Sequence, residues 1–106
     1  MDQTPFAELA AVDRLIHDPS RLAILSALLG CAEADFQYLL KVTGLSKGNL
    51  SSHLTKLETG SLVEIEKGHR GKIPWTRARL TPDGRERVEA HWQRLERLRG
   101  NARKWR

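Results

Sequence analysis

The spacing of the apolar residues changes along the chain, and this change limits the folds open to it. Up to Gly60 these residues recur every three or four positions, as in amphipathic helices, whereas from Leu62 to Leu80 many of them alternate with polar residues, as in strands. A helical period returns from Val88 to Leu98. The pattern therefore predicts four helices, a two-stranded antiparallel hairpin and a last helix, which is a mainly α fold with a small β-hairpin.

Capping residues set the expected boundaries of these elements. Thr4, Asp18 and Thr81 each precede a proline, which is the preferred order of N-cap and first helical residue. Within a single domain over 1–106, the predicted parts are an N-terminal helix over 5–17, a core of helices over 19–60, a hairpin over 62–80, a C-terminal helix over 82–99 and a basic tail over 100–106. The hairpin strands are expected over 62–67 and 75–80, with a loop over 68–74 between them.

Length and charge limit the class of protein. A chain of 106 residues allows one domain, and a single cysteine, Cys31, excludes an internal disulfide and a multi-cysteine metal site. Residues 1–60 hold five Lys and Arg against seven Asp and Glu, whereas residues 61–106 hold 13 against six. A basic half favours a polyanionic partner such as nucleic acid, although a basic surface also serves solubility alone. With no long apolar run and no secretory leader, the sequence predicts a cytoplasmic chain without a membrane partner.

The residues that could carry catalysis or bind a metal are not grouped in the sequence. The four histidines are scattered without the spacing of metal ligands, at His17, His53, His69 and His91. No glycine-rich phosphate loop, paired carboxylates in an apolar setting or nucleophile beside a base is found either. We therefore expect no catalytic residue, no metal and no cofactor, and the protein is not expected to be an enzyme.

Two neighbouring helices have the arrangement of a helix-turn-helix. They are predicted over 35–43 and 46–59, and the short turn Thr43-Gly44-Leu45 joins them. The start of the second helix, near Ser46 and Lys47, offers unpaired backbone N–H groups that suit a phosphate.

The two sides of the second helix differ in character. One side presents three leucines to the core: Leu50, Leu54 and Leu57. The other side and its flank carry small, hydroxyl, amide and cationic residues: Gly48, Asn49, Ser51, Ser52, Thr55, Lys56 and Thr59. Such a side can approach base edges in a major groove, because no bulky group holds the helix axis away. Taken alone, such a side is better explained as a solvated helix surface, and only together with the turn, the following hairpin and its basic loop does it favour DNA binding.

The hairpin is predicted to project basic residues beside this helix. Four of them fall within six positions: Lys67, His69, Arg70 and Lys72. A projecting cationic loop can reach a phosphate backbone or a minor groove. Arg77 and Arg79 are instead expected to pair with glutamates on the other strand, so we rank Arg70 and Lys72 above them. Trp75 is expected to pack the hairpin onto the body of the domain.

In this order the motifs resemble the winged helix-turn-helix transcriptional regulators of the MarR/ArsR-like group, in their compact single-wing branch. The resemblance covers about residues 18–85, through these matching segments: Asp18–Leu25, Leu45–Leu54 with Leu57-Glu58, Gly60–Val63 and Leu80–Arg85. It implies a homodimeric regulator, usually a repressor, that binds double-stranded DNA in a sequence-specific manner. The resemblance also implies that residues 46–59 form the recognition helix and residues 68–74 the wing.

The resemblance also implies roles for particular residues. By motif position, base contacts are expected from Lys47, Asn49, Ser52 and Lys56, with Ser46 and Ser51 nearer the backbone. Together with the hairpin cations, the predicted DNA-binding residues are Ser46, Lys47, Asn49, Ser51, Ser52, Thr55, Lys56, His69, Arg70 and Lys72. ArsR-like metal sensors use cysteine pairs, so the lone Cys31 argues against such a site. MarR-like proteins often bind small aromatic molecules, which leaves an unidentified small-molecule effector open.

Apolar stripes on the first and last helices predict a second partner, another copy of the chain. A domain of this size has little core left to cover them, so we expect packing about a twofold axis that sets two recognition helices roughly 34–36 Å apart. The predicted interface residues are Phe6, Leu9, Ile16, Val88, Trp92, Leu95 and Leu98. The alternative to a dimer is that the last helix folds back on its own domain.

An alternative function is also open for the protein as a whole. It would then be a winged-helix module that binds protein or RNA, without sequence-specific binding to duplex DNA.

Overall fold

The helices begin at the residues that the capping pattern predicts. In the computed structural model, which describes residues 4–105, they are α1 Pro5–Ala10, α2 Pro19–Leu29, α3 Phe36–Thr43, α4 Lys47–Thr59 and α5 Pro82–Lys104. The side chains of Thr4, Asp18 and Thr81 each accept a hydrogen bond from the backbone N–H three residues further on, and a proline follows each of them. These three helix starts are therefore confirmed.

The sheet has three antiparallel strands rather than the predicted two. The strands are β1 Ala34–Asp35, β2 Val63–Arg70 and β3 Ile73–Leu80, in the order β1-β3-β2. The hairpin register runs from Val63 opposite Leu80 to Arg70 opposite Ile73. Strand β1 is only two residues long, so it is too short to leave an alternating pattern in the sequence.

The core lies between the helix-turn-helix, one face of the sheet and the start of α5. Its fully buried side chains include the three leucines that the sequence turns inward on α4. Leu50 and Leu57 are 0% exposed and Leu54 is 2% exposed. Because burial of one leucine side chain contributes about 1.5–3 kcal/mol, these three contacts fix the rotation of α4 about its axis.

The N-terminal helix is shorter than the predicted 5–17, since α1 ends at Ala10 and residues 11–17 run through turns. The Asp13 carboxylate accepts hydrogen bonds from the Leu15 N–H at 2.9 Å and from Arg87 of α5 at 2.7 Å. A side chain that bonds the backbone in this way competes with helix formation. Val12 and Ile16 are nevertheless buried, so the irregular segment still packs against the domain.

The predicted loop over 68–74 is mostly strand, and only Gly71 and Lys72 form the turn. Gly68 lies within β2, where the indole ring of Trp75 packs over its backbone. A Cβ at this position would stand 2.3 Å from the ring, so a larger residue would not fit. Pro74 is tolerated in β3 because the short β1 pairs further along the strand, which leaves β3 without a second neighbour at the tip. Trp75 therefore packs on the hairpin itself, which differs from the predicted contact with the body.

Helix α5 extends to Lys104 rather than to the predicted residue 99, and so includes most of the predicted tail over 100–106. Arg106 lies outside the described residues. Contacts with α1 hold the extra turn: Arg97 pairs with Glu8 at 3.1 Å, and Trp105 packs edge-to-face on Phe6 with 6.3 Å between ring centroids. The helix continues through Gly100 because these contacts offset the low helix propensity of glycine.

Two glycines of α5 lead to opposite predictions for alanine substitution. A Cβ at Gly84 would lie 2.1 Å from the Leu62 carbonyl oxygen, whereas nothing lies within 4 Å of that position at Gly100. Gly84→Ala should therefore lower the free energy of unfolding by about 1–3 kcal/mol, as overpacking does, and Gly100→Ala should raise it by about 0.5–1 kcal/mol. Urea denaturation measures both values, and equal effects of the two substitutions would contradict the close approach at Gly84.

Candidate nucleic-acid interface

The turn between α3 and α4 is fixed by local hydrogen bonds. Gly44 has φ 71° in the left-handed region, which glycine adopts without strain, and its N–H donates to the Leu40 carbonyl at 3.0 Å. The Thr43 hydroxyl donates to the Leu39 carbonyl at 2.6 Å, and the Ser46 hydroxyl caps α4. These hydrogen bonds fix the orientation of α4 relative to α3, as expected for a helix-turn-helix.

The polar side of α4 points away from the core. All seven residues predicted here as DNA contacts are exposed: Ser46, Lys47, Asn49, Ser51, Ser52, Thr55 and Lys56. No residue within 4–105 covers this side, so the helix presents small and polar groups along one continuous surface. We call this surface the α4 outer face, and it consists of residues 46–49, 51, 52, 55, 56 and 59.

The side chains of the α4 outer face differ in how far they are already bonded. The Ser46 hydroxyl accepts from the Asn49 N–H at 3.2 Å, and the Thr55 hydroxyl donates to the Ser51 carbonyl at 3.0 Å. Among the described residues, no hydrogen bond or ion pair engages four other side chains: Lys47, Asn49, Ser52 and Lys56. These four are the base-contact candidates implied by the resemblance, and they retain their hydrogen-bonding capacity for a ligand.

The hairpin tip carries positive charge that the structure leaves unpaired. His69, Arg70 and Lys72 are all exposed, and residues 67–79 contain five Lys and Arg but no Asp or Glu. Within the part of the chain that the structure describes, neither Arg70 nor Lys72 forms an ion pair. The tip can therefore attract a polyanion without first breaking an internal contact.

Arg79, at the base of the hairpin, is paired with glutamates on β2 as predicted, whereas Arg77 pairs among the described residues only with Glu33, which lies outside the hairpin. Arg79 lies 3.2 Å from Glu64 and 3.6 Å from Glu66 on β2. Glu33, which the sequence pattern did not single out, lies 3.7 Å from Arg79 and 3.9 Å from Arg77. The positive field of the hairpin is therefore concentrated toward its tip.

Arg21 anchors the back of α4, a role that the sequence pattern did not show. Its guanidinium donates to the Leu15 carbonyl at 2.7 Å and to the Arg14 carbonyl at 3.1 Å, and contacts the His53 Nδ1 at 3.3 Å. His53 is half-buried, as expected from its position on the helical wheel. The backbone N–H of Arg21, assisted by the guanidinium charge, lowers the pKa of the Asp18 carboxyl. Arg21 thereby joins α2, the irregular segment and α4.

Two histidines that are far apart in the sequence meet in the structure. The Nδ1 of His17 lies 3.1 Å from the Nε2 of His91, which is 3% exposed on α5. One nitrogen must donate and the other accept, so at least one ring is neutral in this contact. Burial, followed by the nearby His17, lowers the pKa of His91 below its ordinary 6.5.

Acid is expected to destabilise the protein through this pair. The unfolded chain takes up a proton at His91 at a higher pH than the folded protein does, so stability is complete above the ordinary pKa of 6.5 and falls as the pH drops below it. The melting temperature should fall by a few degrees between about pH 7.5 and about pH 5.5, and by less in His91→Gln. Circular dichroism melts measure this slope. His69→Gln is the control, and an unchanged slope in His91→Gln would contradict the prediction.

Three residues predicted at the dimer interface are not available to a partner. Ile16, Val88 and Leu98 are at most 2% exposed within a single chain, because the 11–17 segment and α1 pack against α5. Four other residues remain accessible: Phe6 at 51%, Leu9 at 45%, Trp92 at 39%, and the half-buried Leu95. Of the seven residues predicted at a dimer interface, these four are accessible on a single chain.

Residues 4–105 contain no group of three or more His, Cys, Asp or Glu side chains placed to hold a metal ion. No helix among them is both long and apolar enough to cross a membrane.

An exposed, small-residue helix beside a hairpin with a cationic tip defines the class as a winged-helix DNA-binding domain. A family model described as "Winged helix DNA-binding domain" matches residues 20–99, and the chain belongs to this family. Members of such a family bind DNA and are not enzymes. The fold class predicted from the sequence, a mainly α winged helix-turn-helix with flanking helices, is confirmed.

Similar proteins support the same class. A transcriptional regulator homologue from Pyrococcus horikoshii OT3 is 30% identical, with a TM-score of 0.80 over 89% of this chain and 92% of that one. The uncharacterised protein MJ0432 of Methanocaldococcus jannaschii is 34% identical over 73 residues, which are 68% of this chain and 78% of that protein. A MarR-family regulator from Enterococcus faecalis V583 shares the fold, with a TM-score of 0.74 at 19% identity over 98% and 94% of the two chains. The protein is a winged-helix transcriptional regulator.

Proposed function

We propose that the protein is a homodimeric repressor, acting in the cytoplasm, that binds double-stranded DNA in a sequence-specific manner. The α4 outer face enters the major groove, and the hairpin tip, the wing over 68–74, lies on the backbone or in the minor groove. The observation that carries this proposal is that, among the described residues, no hydrogen bond or ion pair engages the side chains of Lys47, Asn49, Ser52 and Lys56 on α4 or of Arg70 and Lys72 on the hairpin tip. Side chains already engaged within the domain would have to break those contacts before binding DNA.

The residue types on the α4 outer face suit particular contacts. Lys47 and Lys56 can donate to the guanine O6 and N7 atoms, and Asn49 can pair with the adenine N6 and N7 atoms. Ser52 can donate or accept. Gly48, between Lys47 and Asn49, adds no bulk to the surface. Phosphate contacts from the wing would set the register, because they carry no sequence information themselves.

Repression and dimerisation belong together in this proposal. Two copies related by a twofold axis would bind an inverted repeat and so cover a segment of duplex that other proteins need to reach. Support for the dimer comes from the exposed apolar residues of α1 and α5, above all Phe6 and Leu9. In a single copy Phe6 is 51% exposed and Leu9 is 45% exposed.

Substitutions on the two surfaces should have different effects on DNA binding. Arg70→Ala should weaken binding to all duplexes alike and reduce the salt dependence by about one unit of slope. Asn49→Ala should cost about 1–3 kcal/mol on the preferred sequence and much less on others, because it removes a base contact. Fluorescence anisotropy over a salt series, with duplexes obtained by selection from genomic fragments, measures both effects.

The matched controls are Arg99→Ala and Asn101→Ala, which change exposed residues of α5. Both are expected to bind DNA like the unsubstituted protein. If the unsubstituted protein binds every duplex equally weakly, the proposal is wrong and the protein- or RNA-binding alternative is favoured.

The dimer has its own test. Size-exclusion chromatography with light scattering at tens of micromolar should give a mass near twice the 12.0 kDa of one chain. The double substitution Phe6→Glu with Leu9→Glu should give a monomer, because it places two charges on the proposed contact. Val42→Glu, at a residue that is 48% exposed on α3, is the control and should remain dimeric. A monomeric unsubstituted protein would contradict the dimer.

A further inference from the structure

The tip of the wing carries an apolar side chain among its charges. Ile73 is 70% exposed, the highest value among the large hydrophobic residues described. It stands directly opposite Arg70 in the hairpin register and next to Lys72 of the turn. A large β-branched side chain at this position gains nothing from the core of its own domain, so its contribution has to be sought in contact with a ligand.

The part of the hairpin directly behind Ile73 is well packed. Trp75 follows two positions later and therefore lies on the same face of β3. The indole ring rests on the Gly68 backbone, and the Arg77 guanidinium lies 4.4 Å from its centroid. The turn itself contains only Gly71 and Lys72. The tip is thus the end of a packed hairpin, and Ile73 needs little ordering when it meets a partner.

The charges around Ile73 indicate which partner fits. Arg70 lies opposite Ile73 and Lys72 precedes it, and neither forms an ion pair among the described residues, so a polyanionic surface fits this tip. A DNA minor groove suits both the apolar side chain of Ile73 and the cations around it. Its walls are apolar sugars, and two rows of phosphates line its edges. Proteins that bind this groove commonly place apolar side chains against or between its base pairs.

We propose that Ile73 enters the minor groove of the bound duplex and makes the wing discriminate against G·C pairs. This inference rests on the proposed DNA-binding function and adds a source of specificity to it. The guanine N2 amino group is a hydrogen-bond donor on the floor of the minor groove, and A·T pairs lack it. An isoleucine that covers this donor cannot accept its hydrogen bond, so a G·C pair beneath the wing carries an unpaired polar group.

Inosine substitution tests the proposal without changing the major-groove face of the base pair. The duplex is the sequence recovered by selection, with the flanking pairs made A·T, G·C or inosine·C one position at a time. Inosine lacks the 2-amino group, so inosine·C presents the minor-groove groups of A·T. The unsubstituted protein should bind A·T and inosine·C alike at the position under the wing, and G·C about tenfold more weakly.

Two substitutions separate the apolar contact from the charge. Ile73→Ser should bind the three flanks with nearly equal affinity. Ile73→Lys should bind all three more tightly at low salt, again without discrimination, because phosphate attraction is independent of sequence. Val42→Ser, an exposed β-branched residue on α3, is the control and should keep the tenfold ratio. Circular dichroism melts establish that each variant is folded.

The possible failures can be told apart. If the unsubstituted protein prefers its selected sequence but binds G·C and inosine·C equally at every flanking position, the role of Ile73 is overturned and the proposed function stands. The same holds if Ile73→Ser keeps the tenfold ratio. If no sequence preference is found at all, both the inference and the proposed function are overturned.

Discussion

The burial of three leucines on one side of α4 is the constraint on which the rest of the structure depends. Leu50, Leu54 and Leu57 are fixed in the core, so the opposite side of the helix has to face outward. The Gly44 turn and the Arg21 hydrogen bonds determine where that side points. The chain can keep small and polar residues outside because the apolar contacts inside supply the stability. Packing and recognition are thus assigned to opposite sides of one helix.

The charged residues of the wing also differ between its base, where they are ion-paired, and its tip. At its base, the glutamates around Arg79 compensate the positive charge, and the ion pairs join β2 to β3. Toward its tip, Arg70 and Lys72 form no ion pair with any residue that the structure describes, and Trp75 packed on Gly68 supports the strands instead. Unpaired positive charge is therefore concentrated toward the end of the hairpin that projects from the domain. A charge that is neutralised internally attracts phosphate weakly, so this division concentrates the attraction next to α4.

The sequence predicted the local features well and missed those that depend on distant residues. Helix starts and the two sides of α4 follow from patterns within a few positions, and the structure confirms them. The short α1, the long β2 and the extended α5 depend on contacts to Arg87, Trp75 and α1, which no local pattern shows. The pair of His17 and His91 and the burial of Ile16 arise from the same long-range packing.

If the proposed function is right, duplex DNA contacts the α4 outer face and the wing tip together. Duplex DNA can be titrated into isotope-labelled protein while the amide chemical shifts are followed by NMR. We expect the largest shifts at residues 46–59 and 69–73, and little change at the amides of α1 and of the end of α5. Shifts confined to α1 and α5, or spread evenly over the surface, would contradict the proposed function.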